Sequence, residues 1–134
     1  MLKRLKTMKD KDVIQSALTA LKSCLEEVPF LEIEHMQVPN LDNGPDIIVK
    51  IRIQDEERNL LVEVKNNGQP RIARLATYQI KDYLSQSLKA YGIFVAPYIS
   101  QEAGKICEES GIGYLDLAGN CLLSFDTVYI RQTG

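Results

Sequence analysis

The chain has 134 residues, a net charge of −2, 45% hydrophobic residues and 25% charged residues. That length fits one domain, spanning 1–134, which buries roughly 68% of its unfolded surface without needing a disulfide or structural metal. The composition excludes a disordered chain, and the charge excludes a uniformly basic surface.

The first eleven residues carry Lys3, Arg4, Lys6, Lys9 and Lys11 against the single acid Asp10. Segment 1–9 therefore reads as a basic arm, either solvated and frayed or in contact with phosphates. From 12 to 28, Val13, Ile14, Ala17, Leu18, Leu21 and Leu25 recur at helical spacing. Asp10 or Asp12 is the expected N-cap and Pro29 the stop. Residues 30–38 alternate as a first strand, and 39–45 form a turn rich in Pro, Asn, Asp and Gly.

Next comes a hairpin. Ile47, Val49, Ile51 and Ile53 share one face, as do Leu60, Val62 and Val64. A four-residue loop at 54–57 sets Ile51 against Leu60, Val49 against Val62 and Ile47 against Val64. A slip by one residue would bring apolar positions opposite the mixed face, so this parity is strongly preferred. Residues 70–91 read as a second long helix opened by Pro70. Residues 92–97 are a short apolar strand of the buried parallel kind, so a right-handed βαβ crossover is expected. Residues 100–111 form a third helix with Ser100 as N-cap and Gly111 at its end. Two or three short strands complete the chain. The fold class is α/β: a mixed β-sheet with helices on it.

Cys24, Cys107 and Cys121 show no paired spacing and read as buried small hydrophobes in a reducing compartment. His35 is the single histidine, which excludes a His-rich metal site. No apolar stretch is long enough to span a bilayer, and the N-terminus lacks a signal-peptide core, so the cytoplasm is the expected location.

The hairpin register carries a chemical consequence. It sets Asp46 opposite Lys65 and Ile48 opposite Glu63, leaving Asp46 and Glu63 diagonal neighbours roughly 5–8 Å apart. Two carboxylates about 4 Å apart repel by about 4 kcal/mol at an effective dielectric of about 20. A proton or a hard divalent cation relieves that repulsion. Lys65 on the same face is suited to orient a water and to stabilise developing negative charge. The competing reading is a solvated sheet face with an Asp–Lys cross-strand pair.

Pro45-Asp46 with Glu63-Val64-Lys65 resembles the PD-(D/E)XK signature of restriction-endonuclease-like nucleases, and the element order resembles their αβββαβ core. Gln79 and Tyr83 match the QxxxY helix of RecB-type members, at i and i+4 on one helix face. The resemblance implies Mg²⁺ or Mn²⁺ held by Asp46, Glu63 and the carbonyl of Val64, with Lys65 as catalytic lysine. It implies that Gln79 and Tyr83 position DNA or support the site, that Glu26 or Glu27 adds a further acid, and that members often pair as homodimers. The implied activity is phosphodiester hydrolysis in DNA defence or repair. The alternative is a catalytically inactive module for nucleic-acid or protein binding, or the N-terminal part of a larger regulatory protein.

Arg71 and Arg74, after the Lys65 strand, are candidates for phosphate contact at a helix N-terminus, or else two solvated arginines. Asp116 and Asn120 fit turn chemistry, with bordering the site as the alternative. The tyrosines do not interleave with basic residues as a stacking platform would, and most read as core or rim.

Overall fold

The computed structural model describes residues 8–134, with side chains from residue 11 onward. Lys3, Arg4 and Lys6 of the expected arm lie outside the described residues, whereas Met8 and Lys9 belong to the first helix, not to an arm. That helix, α1 (Met8–Leu25), begins before Asp10 and Asp12, so neither is its N-cap. It ends at Leu25, ahead of Pro29.

Seven strands follow: β1 (Leu31–Gln37), β2 (Ile47–Ile53), β3 (Glu56–Val64), β4 (Ala90–Ala96), β5 (Gly113–Asp116), β6 (Cys121–Phe125) and β7 (Val128–Gln132). They lie side by side in chain order. Pairs β3–β4 and β4–β5 are parallel and the rest antiparallel, so the sheet is mixed. The two remaining helices are α2 (Pro70–Leu84) and α3 (Gln101–Glu109). The α-β-β-β-α-β order expected from the sequence is present, with α2 as the crossover between parallel β3 and β4.

Alternation along the strands makes two cores. Ile47, Val49, Ile51, Leu60, Val62, Val64, Ile93 and Val95 pack with Leu21 and Leu25 of α1 on one face. Phe94 and Ala96 pack with Ala73, Ala76 and Ile80 of α2 and Ala103 and Cys107 of α3 on the other. The buried side of α2 is nearly all small, which brings its axis close to the sheet. Gly92 on β4 completes that fit: a Cβ there would collide with Cγ2 of Ile80.

The hairpin register differs from the sequence expectation by two residues. Ile47 pairs with Val62, Val49 with Leu60, Ile51 with Arg58 and Ile53 with Glu56. The apolar parity is kept, but the loop is only Gln54-Asp55, with Gln54 at φ +57°. Two-residue loops with a left-handed first residue match the twist of the flanking strands, which a longer loop matches less well. The second helix also stops early: Ser85 caps it, and Tyr91 belongs to β4 after a left-handed Lys89 (φ +58°). Ser100 does cap α3, its side chain accepting from the Ala103 N–H at 3.1 Å, and Gly111 follows at φ +71°. Among the described residues, no helix is long and apolar enough to cross a membrane.

Candidate active site

The β2–β3 ladder ends at Ile47–Val62, one residue short of Asp46. The chain turns there, and Asp46 replaces a missing strand partner. Its N–H donates to the Val62 carbonyl at 2.9 Å, and its Oδ2 accepts the Val64 N–H at 2.8 Å. These two bonds straddle Glu63. Asp46 is therefore anchored beside Glu63, not opposite Lys65, and Ile48 faces Leu61, not Glu63. The physical reason is the tighter loop, which slides β3 by two residues while preserving its faces.

Asp46 is 4% exposed and Glu63 1%. Glu63 points from β3 toward α2. Its Oε2 lies 3.1 Å from Lys65 Nζ, and its Oε1 accepts a hydrogen bond from the Tyr83 hydroxyl at 2.9 Å. Lys65 keeps 22% of its side chain exposed, so the ion pair opens to solvent at the lysine end. Burial pushes the Tyr83 hydroxyl well above its ordinary pKa, with the charge of Glu63 next and that of Asp46 adding to it. Tyr83 therefore stays protonated as a donor, and its hydroxyl feels both carboxylates. Gln79, one turn earlier on α2, has a buried Oε1 with no hydrogen-bond partner among the described residues.

The local sequence explains this placement. Alternation after the buried Val62 and Val64 sends Glu63 and Lys65 to the α2 face. The small residues Ala73, Ala76 and Thr77 then let α2 settle low enough for Tyr83 to reach Glu63. The donors beside Glu63 are thus set by β3 and α2, both packed in the core.

Asp46, Glu63, Val64, Lys65 and Tyr83 form one contiguous group. Arg71 and Arg74 do not touch it; both are exposed at the start of α2, without an ion pair among the described residues. By contrast, Arg52, Arg58 and Arg131 each pair with a carboxylate. Neither Glu26 nor Glu27 joins the group. Both follow the C-terminus of α1, and Glu27 lines a cleft near Cys24 and Asp116. Among the described residues, no cluster of three or more His, Cys, Asp or Glu side chains could hold a metal. The available donors at Asp46 and Glu63 are two carboxylates and backbone oxygens, a hard all-oxygen set that suits Mg²⁺ or Mn²⁺ with water completing the shell.

Asp116 is as buried as Glu63 but serves a turn. Its carboxylate accepts from the N–H groups of Ile99, Ala118 and Asn120 and from the Asn120 amide, all at 2.8–2.9 Å. The bond from Tyr83 to Glu63 was not foreseeable from the sequence. Helical spacing puts Gln79 and Tyr83 on one face but does not say which strand residue that face meets.

No family model matches the chain, and no curated protein is detectably similar to it. Its fold is similar to that of EndoMS in its apo form, with a TM-score of 0.51 and 18% identity over 84% of this chain and 48% of that one. More distant likenesses are to EndoMS in its dsDNA2 complex (TM-score 0.49, 18% identity, 85% and 47% covered) and to a repair endonuclease from Pyrococcus abyssi (TM-score 0.45, 14% identity, 85% and 48% covered). The chain spans about half the length of these proteins.

Proposed function

We propose that this chain is a metal-dependent DNA nuclease domain of the PD-(D/E)XK type. The observation that carries the reading is the joint burial of Asp46 and Glu63 at the end of one hairpin, with Lys65 Nζ 3.1 Å from Glu63. Burying a carboxylate costs several kcal/mol after relaxation, roughly per ion, so two held side by side need a strong compensating charge. The fold shared with EndoMS agrees with this reading.

In this reading Asp46, Glu63 and the Val64 carbonyl hold Mg²⁺ or Mn²⁺. When bound, the metal acts as a Lewis acid and lowers the pKa of a water. Lys65 donates to the attacking water or to the non-bridging phosphate oxygens, where negative charge grows. Tyr83 fixes the Glu63 carboxylate, and Gln79 offers its buried oxygen one turn away. Arg71 and Arg74, lacking acidic partners among the described residues, receive the flanking phosphates at the start of α2. Repair or defence of DNA is the setting that the family resemblance implies.

A second reading, a fold kept for binding alone, draws on the fact that both Glu63 oxygens already have protein partners in Lys65 and Tyr83. One experiment separates the two. Linear, supercoiled and branched DNA are incubated with the protein in Mg²⁺ or Mn²⁺, beside Asp46→Ala and Lys65→Ala. Cleavage by the wild type and not by the variants is expected. Cleavage that survives both substitutions overturns the site, and binding without any cleavage favours the second reading.

A further inference from the structure

Strands β3, β4 and β5 run parallel, so their carboxyl ends lie at one end of the sheet. Lys65 leaves the end of β3 there, and Tyr98 follows the end of β4. The offset that pairs Glu63 with Phe94 and Val64 with Val95 also pairs Gly68 with Ile99. Tyr98 therefore stands level with Asn67, two residues past the level of Lys65, or about 7 Å along the strand direction. It is 59% exposed, and its hydroxyl makes no hydrogen bond among the described residues. Its backbone, by contrast, is fixed on both flanks. The Ile99 N–H donates to Asp116 Oδ2 at 2.9 Å, the Leu117 N–H to the Pro97 carbonyl at 3.1 Å and the Ser100 N–H to the Gly68 carbonyl at 3.1 Å. Gly68 has to lack a side chain for this junction to close, because a Cβ there would run into the Tyr98 carbonyl. The result is an aromatic ring open to solvent on a rigid mount beside Lys65.

We propose that Tyr98 is a stacking platform for one unpaired base of the DNA strand whose phosphate lies at Lys65. The proposal rests on the nuclease reading above and names its substrate class: DNA with an unpaired nucleotide beside the cleaved bond. In a duplex the faces of a base are covered by its neighbours, and only a nucleotide outside the stack offers a π-face to a tyrosine ring. Every base has such a face, so the contact selects strand structure over sequence. Leu117, 40% exposed, continues the apolar rim on the β5 side. Arg71 and Arg74, on the helix that starts two residues after Gly68, supply the positive charge that flanking phosphates need. The tyrosines do not line up into a row, so the platform holds a single base and not a long strand.

The full chain is mixed, in metal-free buffer, with one DNA strand alone or annealed to its complement, and 2-aminopurine is placed at successive positions of that strand. The wild type is expected to quench the fluorescence at one position of the single strand. Tyr98→Ala should abolish that quenching and lower the ratio of single-strand to duplex affinity by about 10-fold. Tyr98→Phe should retain both, because the ring and not the hydroxyl makes the stack. Should Tyr98→Ala fail to fold, Tyr98→Leu keeps an apolar side chain there and should still lose the quenching. Quenching that survives these substitutions, or an affinity ratio they do not move, overturns the platform. If the wild type cleaves DNA in Mg²⁺ through Lys65 but quenches at no position, the platform fails and the nuclease reading stands. If it neither binds nor cleaves any DNA in Mg²⁺ or Mn²⁺, the nuclease reading fails and the platform with it.

Discussion

Glu63, next to the end of β3, and Asp116, at the end of β5, lie on strands of one sheet with β4 between them and are almost equally buried, at 1% and 2% exposure, yet they are neutralised in different ways. Asp116 is wrapped by neutral donors from its own turn and from Ile99, three of them backbone N–H groups. Those donors cannot leave without unfolding the turn. Glu63 is met by two side chains, Lys65 and Tyr83, and the lysine reaches solvent. Side-chain donors can swing away or share their oxygen with an incoming cation. In the proposed function the difference separates a carboxylate that holds shape from one that takes part in the chemistry, although exposure alone ranks them together.

The comparison can be broken in several ways, taken here from the largest expected effect down. Lys65→Ala should lower the DNA cleavage rate by about 100-fold or more, equivalent to about 3 kcal/mol of barrier, and should also lower the melting temperature, because it takes the compensating charge from buried Glu63. Asp116→Ala should act on stability and leave the chemistry of the Glu63 group in place. It strands four donors and is expected to cost about 3 kcal/mol of stability, read by urea denaturation. If Glu63→Gln destabilises the fold as much as Asp116→Ala does, the distinction fails; the expected loss for Glu63→Gln is within about 1 kcal/mol, because the amide oxygen still accepts from Tyr83. Mn²⁺ at about 100 times its dissociation constant should add about 2.7 kcal/mol to the stability of the wild type and nothing to Asp46→Asn, measured by thermal shift. Tyr83→Phe removes one hydrogen bond to Glu63 and should cost about 1 kcal/mol, with a further drop in cleavage as the carboxylate loses its anchor.

Much of this was legible in the residues. Alternation gave the buried faces of β2 and β3, and with them the side on which Glu63 and Lys65 emerge. Register was not legible to the same degree, because parity arguments repeat every two residues. The loop decides, and neither Gln54 nor Asp55 is the glycine that usually announces a left-handed turn. The end of α2 was obscured for a similar reason. The connection after Leu84 contains no Gly or Pro, and the left-handed residue that redirects the chain is Lys89.

The strands stand in the order in which they occur along the chain, so every strand after the first finds a hydrogen-bonding partner among residues that precede it. On a ribosome the sheet can therefore grow one strand at a time at its free edge. After β1, no strand has to wait for a later one to arrive before its backbone is paired on one side. The hairpin that carries Asp46 and Glu63 is complete before α2 is made. Tyr83 then emerges onto a surface already built to receive it, and the last edge to form, β7, is the one farthest from the site.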